Sequence, residues 1–218
     1  MSDREQRRRA LQALAGATRD LNEAVVRTAV PADVIDELTG TVHAIVDRLR
    51  ADEHPGPYSG LSDRSQFTRP DDPQRLLPLS PACGPFNPTS PELHLAFADG
   101  GVEGTVRLGR RHVGPPESAH GGVIALICDQ LVAVAGVAAG LAGVTRDLQI
   151  GFRRPVPLDV ELTVGAHCVV LPGGDRGEAR GWIDHGGVRC VETSAQIRTA
   201  RRVTHRDPSD PDAEVPPR

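Results

Sequence analysis

The spacing of hydrophobic and polar positions changes character several times along this chain. Up to about residue 52 it is helical: Leu11, Leu14, Leu21 and Val25 share a stripe, and Pro31 interrupts it. Val34, Leu38, Val42, Ile45 and Leu49 then recur at intervals of 4, 4, 3 and 4, which sets them on one helical face. An apolar face is a packing surface, so residues 1–52 are expected to form a helical extension that packs on its own domain or across a dimer. From 53 to 91 the pattern dissolves into Pro, Gly, Ser and Asp, with prolines from Pro55 to Pro91. Such a segment is neither helix nor central strand and reads as a linker or lid. The end of the chain, 203–218, mixes prolines with charges and has too little apolar content to fold.

Between these lies the stretch that can build a core, residues 92–202. Leu93 to Ala98 and Val102 to Leu108 flank Asp99-Gly100-Gly101, which predicts a β-hairpin. A run from Gly121 to about Ala139 is apolar nearly all round and predicts a helix. Thr145–Arg154, Asp159–Leu171, Glu178–Asp184 and Val188–Thr199 then read as four strands with turns between them. The fold class is therefore α+β: an antiparallel sheet wrapped around one central helix, with an N-terminal helical extension.

Composition narrows the possibilities. The chain has 218 residues, 39% of them hydrophobic, and a net charge of -4, so a nucleic-acid partner is not indicated. All 25 basic residues are arginine, so anions must be held by backbone donors or by the guanidinium fork. Cys83, Cys128, Cys168 and Cys190 form no CxxC pair and no signal peptide precedes them. That predicts reduced thiols in a cytoplasmic protein. The apolar run is broken by Asp129 and Gln130 and is expected to be a core helix, with no membrane insertion. The histidines, among them His112, His167 and His185, have no metal-ligand spacing, so no metal is expected.

One carboxylate stands out. Asp129 follows His120-Gly121-Gly122 by nine residues counted from the histidine and interrupts the apolar run. A charge in such a place must be desolvated, paired or catalytic, because burying it alone costs several kcal/mol.

The segment Gly114-Pro115-Pro116-Glu117-Ser118-Ala119-His120-Gly121-Gly122, Asp129 beyond it, and the strand Thr145 to Phe152 running into Arg153-Arg154-Pro155-Val156-Pro157-Leu158 together resemble the hotdog-fold acyl-CoA thioesterases. Within that superfamily, which includes the 4-hydroxybenzoyl-CoA thioesterases, they are most similar to the branch of phenylacetate-pathway and THEM-type enzymes. Phe86-Asn87-Pro88-Thr89-Ser90-Pro91 adds to the likeness, which spans about residues 84–200. Ser118-Ala119 departs from it, where relatives carry a glycine and a larger aliphatic residue.

The resemblance implies a hotdog fold and hydrolysis of acyl-CoA thioesters to free acid and coenzyme A. Coenzyme A is then part of the substrate and no further cofactor is implied. In it Asp129 acts as general base or as nucleophile, two roles the sequence leaves open. The Gly121 N–H is the oxyanion donor, His120 shapes and polarises the site, and Thr145 supplies a hydroxyl near the carboxylate. Unpaired N–H groups and the positive macrodipole end at a helix start support the oxyanion role independently. Gly122 allows close approach of the acyl group, and Arg153, Arg154 and Arg111 are candidates for the phosphates. Cys128, about 100° round the helix from Asp129, reads as a buried hydrophobe. A homodimer or dimer of dimers is expected, with Thr145 and Asp129 of one site drawn from different subunits. The alternative is a non-catalytic acyl-CoA-binding or regulatory protein with the same pocket.

Overall fold

The computed structural model describes residues 3–53 and 72–199; the expected disordered tail and the first part of the Pro-rich segment lie outside them. Two helices, α1 (Asp3–Arg27) and α2 (Ala32–Arg50), precede the domain. Then follow β1 (Glu92–Ala98), β2 (Gly101–Arg107), the two-residue strands β3 (Val113–Gly114) and β4 (Ser118–Ala119), and α3 (Gly121–Ala138). The described residues close with β5 (Gly143–Phe152), β6 (Glu161–Val170), β7 (Arg176–His185) and β8 (Val188–Thr199).

The six long strands form one antiparallel sheet in the order β1-β2-β6-β7-β8-β5, and α3 packs on it through β2, β5, β6, β7 and β8. This is the hotdog arrangement. Alternation explains the sheet: along β8, Val191, Thr193, Ala195 and Ile197 are buried, whereas Glu192, Ser194, Gln196 and Arg198 are exposed, as period-two side chains require. Ile124, Ile127, Leu131, Val132 and Val134 of α3 meet Val164, Ile183, Val191 and Ile197 in the core. By length and composition α3 could cross a membrane, with a hydropathy of 1.9 over 18 residues. Its seat against the sheet makes it the core helix instead. Asp129 and Gln130 do not make the run too polar to span, as the sequence suggested, and it is packing that distinguishes the two cases.

Described residues of the Pro-rich segment are packed down. Pro78, Ser80, Cys83, Phe86 and Ser90 are buried, and the backbone turns on itself through Gly84 N–H to Ser80 O at 2.8 Å and Phe86 N–H to Pro78 O at 3.1 Å. The Ser80 hydroxyl donates to Gln130 Oε1 at 2.7 Å and accepts from Ala82 N–H at 3.1 Å. The segment is thereby pinned to the middle of α3.

The N-terminal helices behave differently from each other, and neither docks the stripe that the sequence marked. On α1 the docked residues are Ala15, Arg19 and Glu23. Arg19 donates to Asn87 O at 3.0 Å, and Glu23 accepts from the backbone N–H groups of Arg110 and Arg111 at 2.8 and 3.2 Å. Those bonds and the Arg27 guanidinium hold the Glu23 carboxyl below the usual carboxylate range, although burial works the other way. Arg27 also bridges to Asp159. Leu14, Leu21 and Val25 face solvent. Along α2 no residue is buried. Packing on its own domain, one of the two expectations, is therefore excluded for α2.

Removing the Ser80 hydroxyl leaves the Gln130 carbonyl buried without a donor, which costs about 1–3 kcal/mol. Ser80→Ala is expected to lower the urea midpoint accordingly, and an unchanged midpoint would mean that the bond does not hold the segment.

Candidate active site

The start of α3 is assembled by three tight backbone approaches. His120 N–H donates to His112 O at 2.8 Å and Ala119 N–H to Val156 O at 2.9 Å. Val113–Gly114 pairs with Ser118–Ala119, and a Cβ on Gly114 would lie 2.8 Å from the His120 Cα. Gly114 is thus a requirement of the site that its sequence context did not single out. His120 is the helix N-cap: its Nδ1 accepts the Gly122 N–H at 2.9 Å. Its neutral ring therefore carries its proton on Nε2. His120 O accepts from Val123 and Ile124 at 3.0 and 3.1 Å. Of the four orphan donors that every helix start presents, three are used, and among the described residues the Gly121 N–H has no acceptor.

Phe152, the last residue of β5, stands beside that donor: a Cβ on Gly121 would lie 3.5 Å from its ring. The ring is 55% exposed, so it forms an uncovered wall at the helix start. Sequence reasoning passed over it as one residue of a longer motif. An exposed aromatic ending a strand next to two arginines was the available signal.

Asp129 is half-buried and, among the described residues, has no hydrogen-bond or ion-pair partner. It belongs to a face of α3 that the sheet leaves uncovered, comprising Gly122, Leu126, Asp129, Ala133 and Val137, all exposed or half-buried. Gly122 and Asp129 are nearly aligned on that face, but Asp129 stands about 12 Å along the axis from Gly121. That gap is too long for its side chain to reach a carbonyl held at the same helix start. A carboxylate aimed at a thioester on its own helix is thereby ruled out.

Thr145 lies at the other end. It pairs with Ile197 where a bulge separates it from Asp147, and seven residues of extended strand set it about 23 Å from Phe152. Neither Thr145 nor Asp129 is brought to the helix start of its own chain.

The arginines divide. Arg153 is exposed and bridges Glu192 at 3.1 Å, lining a groove of about 610 Å³ on the outer sheet with Arg180, Trp182 and Arg189. Arg154 is exposed next to it. Arg111 is spent internally: its guanidinium donates to Arg19 O at 2.7 Å and Ser90 O at 3.3 Å, locking α1 to the Pro-rich segment. It is not free to meet a phosphate, a role the sequence had assigned it.

Buried nucleophiles are silenced. Cys128 is wholly buried, and burial reinforced by the Asp129 charge pushes its thiol up to about 12. Cys83 is pushed up to about 11, mainly by burial. Among the described residues no cluster of His, Cys, Asp or Glu could hold a metal ion.

His112, which holds His120 through its carbonyl, is itself buried. Gly109 N–H faces its Nδ1 and Arg111 Nε its Nε2, each at 3.2 Å. A neutral imidazole can accept one such bond and a protonated one neither. Burial, helped by the Arg111 charge, lowers its pKa from 6.5 to about 4.

Residues 117–171 match the thioesterase superfamily model. A thioesterase superfamily protein of known crystal structure is 26% identical, with a TM-score of 0.71 over 86% of this chain and 94% of its own. That share exceeds the sheet-and-helix domain and takes in part of the region before it. The E. coli PaaI protein from the phenylacetic acid degradation operon is 22% identical, with a TM-score of 0.45 over 49% of this chain and 82% of its own. A hypothetical thioesterase from Streptococcus pneumoniae, solved with coenzyme A, is 23% identical, with a TM-score of 0.46 over 50% and 86%. No curated protein matches the chain. The molecule is a hotdog-fold protein. Its central segment, from the strand before α3 through β6, is the part that matches the thioesterase superfamily model.

The His112 shift has a definite sign. Between pH 6.5 and 4 the unfolded chain takes up a proton that the folded one refuses, so stability is full above pH 6.5 and falls as the pH drops toward 4. From pH 7 to pH 5 this group removes about 2 kcal/mol. Urea unfolding at the two pH values is expected to show that part of the slope in the wild type and not in His112→Gln. Equal slopes would clear His112 of the effect.

Proposed function

We propose that this protein hydrolyses acyl-CoA thioesters to the free acid and coenzyme A, in a site completed by a second copy. The observation that carries the reading is the Gly121 N–H, left without an acceptor at the positive end of α3. A donor so placed costs no reorganisation when charge develops on a thioester oxygen. The superfamily match over the same segment supports it.

The carbonyl oxygen accepts from Gly121, Gly122 leaves room for the acyl group, and Phe152 shields one side from water. His120 fixes the helix start by capping it. Asp129 comes from the other copy. Two α3 helices lying antiparallel by their uncovered faces bring the Asp129 of each within reach of the other's helix start and bury Leu126, Ala133 and Val137. Asp129 then deprotonates a water or attacks the thioester carbon. Arg153 and Arg154, at the end of β5 next to Phe152, are placed for the coenzyme A phosphates. The four free, buried thiols accord with the reducing cytoplasm in which acyl-CoA is made and used.

Thiol release from a panel of acyl-CoAs tests the reaction. Asp129→Asn is expected to lose about 100-fold or more in kcat, and Gly121→Pro about 100–1,000-fold through loss of the donor, proline being well tolerated at a first helical position. Slow hydrolysis shared equally by wild type and variants would reject the assignment. So would calorimetric binding of intact acyl-CoA with no thiol released, which is the behaviour of a non-catalytic binding protein.

Sharing of the site is tested by mixing. When Asp129→Asn and Gly121→Pro subunits exchange at random, half the dimers are mixed and each holds one intact site, so about a quarter of wild-type activity returns. No recovery after demonstrated exchange would place the whole site in one chain.

A further inference from the structure

The N-terminal helices carry two apolar seams that this chain leaves bare. On α1, Ala10, Leu14, Ala17 and Leu21 recur at 4, 3 and 4, on the side away from the docked Ala15, Arg19 and Glu23. Leu14 and Leu21 are 38% and 40% exposed. On α2, Leu38, Val42, Ile45 and Leu49 recur at the same 4, 3 and 4. Leu38, Ile45 and Leu49 are 52%, 45% and 53% exposed, and no residue of the helix is buried. Spacing that alternates between 3 and 4 is the coiled-coil seam. Left in water, each of these large aliphatic side chains forgoes the burial that a partner would give it.

We infer that α2 docks on α1 of a second copy, parallel to it, and that α2 of that copy docks on α1 of the first. Charge decides between this and folding α2 back on its own α1. The first half of α2 carries Asp33, Asp36 and Glu37, and its last turn carries Arg48 and Arg50. Near its start α1 carries Arg7 and Arg9 against Glu5, and Asp20 lies further on; Arg8 and Glu23 are turned to the domain, against Phe86 and the Arg110 and Arg111 backbone. A hairpin closed within one chain is antiparallel. It lays the acidic start of α2 toward Asp20, and its basic end toward the arginines at the start of α1. The parallel pairing reverses both: Glu37 falls level with Arg9, and Arg48 with Asp20. Matching the two seams by their common 4-3-4 spacing sets Leu38 beside Ala10, Val42 beside Leu14, Ile45 beside Ala17 and Leu49 beside Leu21.

Such an exchange is self-consistent. A two-fold axis bisecting the directions of α1 and α2 carries each onto the other, so one operation forms both pairs and the interface closes. The helices then tie two copies together through a surface distinct from the uncovered face of α3. It does not rest on the proposed reaction.

Disulfide trapping reads the pairing directly, because the four native cysteines are buried and the substituted positions lie on exposed helices outside the core. Full-length Leu14→Cys and Val42→Cys variants are mixed and mildly oxidised. The expected product on a non-reducing gel is a cross-linked dimer containing one chain of each, told apart by a mass tag on one variant. Leu14→Cys mixed with Asp36→Cys, out of register, is expected to give at least tenfold less. A doubly substituted chain should likewise link between molecules. Overturning results are a link formed within the doubly substituted chain, which would mean the hairpin closes on itself, or equal yields in and out of register, which would mean random collision. No link in any mixture overturns it as well.

Discussion

The architecture depends on a single conflict in α3. Its surface is apolar almost all round, so it must be enclosed; yet its first turn has to remain open for a backbone N–H to meet anything at all. The sheet resolves this by wrapping one side and both flanks, while the Pro-rich segment is bonded to Gln130 from above. What remains uncovered is a strip from Gly122 to Val137 with Asp129 in its middle. Burial and opening are thus two sides of one helix.

That conflict explains why so many loops converge on one point. His112, the Val113–Gly114 and Ser118–Ala119 pair and Val156 all bind backbone just before Gly121, so the angle at which the chain enters α3 is fixed from three directions. Arg111 extends the same scaffold outward by tying α1 and Ser90 to this corner. An arginine held against carbonyl oxygens is a structural choice, and its charge adds to the burial that depresses the pKa of its neighbour His112. The N-terminal extension is therefore coupled to the geometry of the helix start through a few bonds, not through an apolar interface.

Much of this was legible in sequence. Alternation and turn residues gave the six strands, and the unbroken apolar run gave the helix, because both periods are set by the distinction between inside and outside. The spacing from His120 to Asp129 showed that the two belong to one helix. At the rise of a helix the same spacing already sets them too far apart to act on one carbonyl; what it could not show is that the sheet leaves the Asp129 face of that helix uncovered. Arg111 was misread because an arginine's partner is chosen by tertiary approach, here by carbonyls of Arg19 and Ser90 far away in sequence. Phe152 and Gly114 were missed for the same reason: their role is a contact across elements. The apolar stripes of α1 and α2 were recognised as packing surfaces, but periodicity does not say against what.

The length of β5 bears on how this protein can change over time. The strand runs back along α3 and spans nearly its whole length, with Phe152 at one end and Thr145 toward the other, so it works as a ruler for the helix. Substitutions along it alter one side chain each. An insertion or deletion of two residues would keep every side chain on its proper face, and so preserve the core pattern, while moving Phe152 about 7 Å from the helix start. Variation in this region should therefore run through residue identity and hardly ever through length, even where the sheet itself would tolerate it.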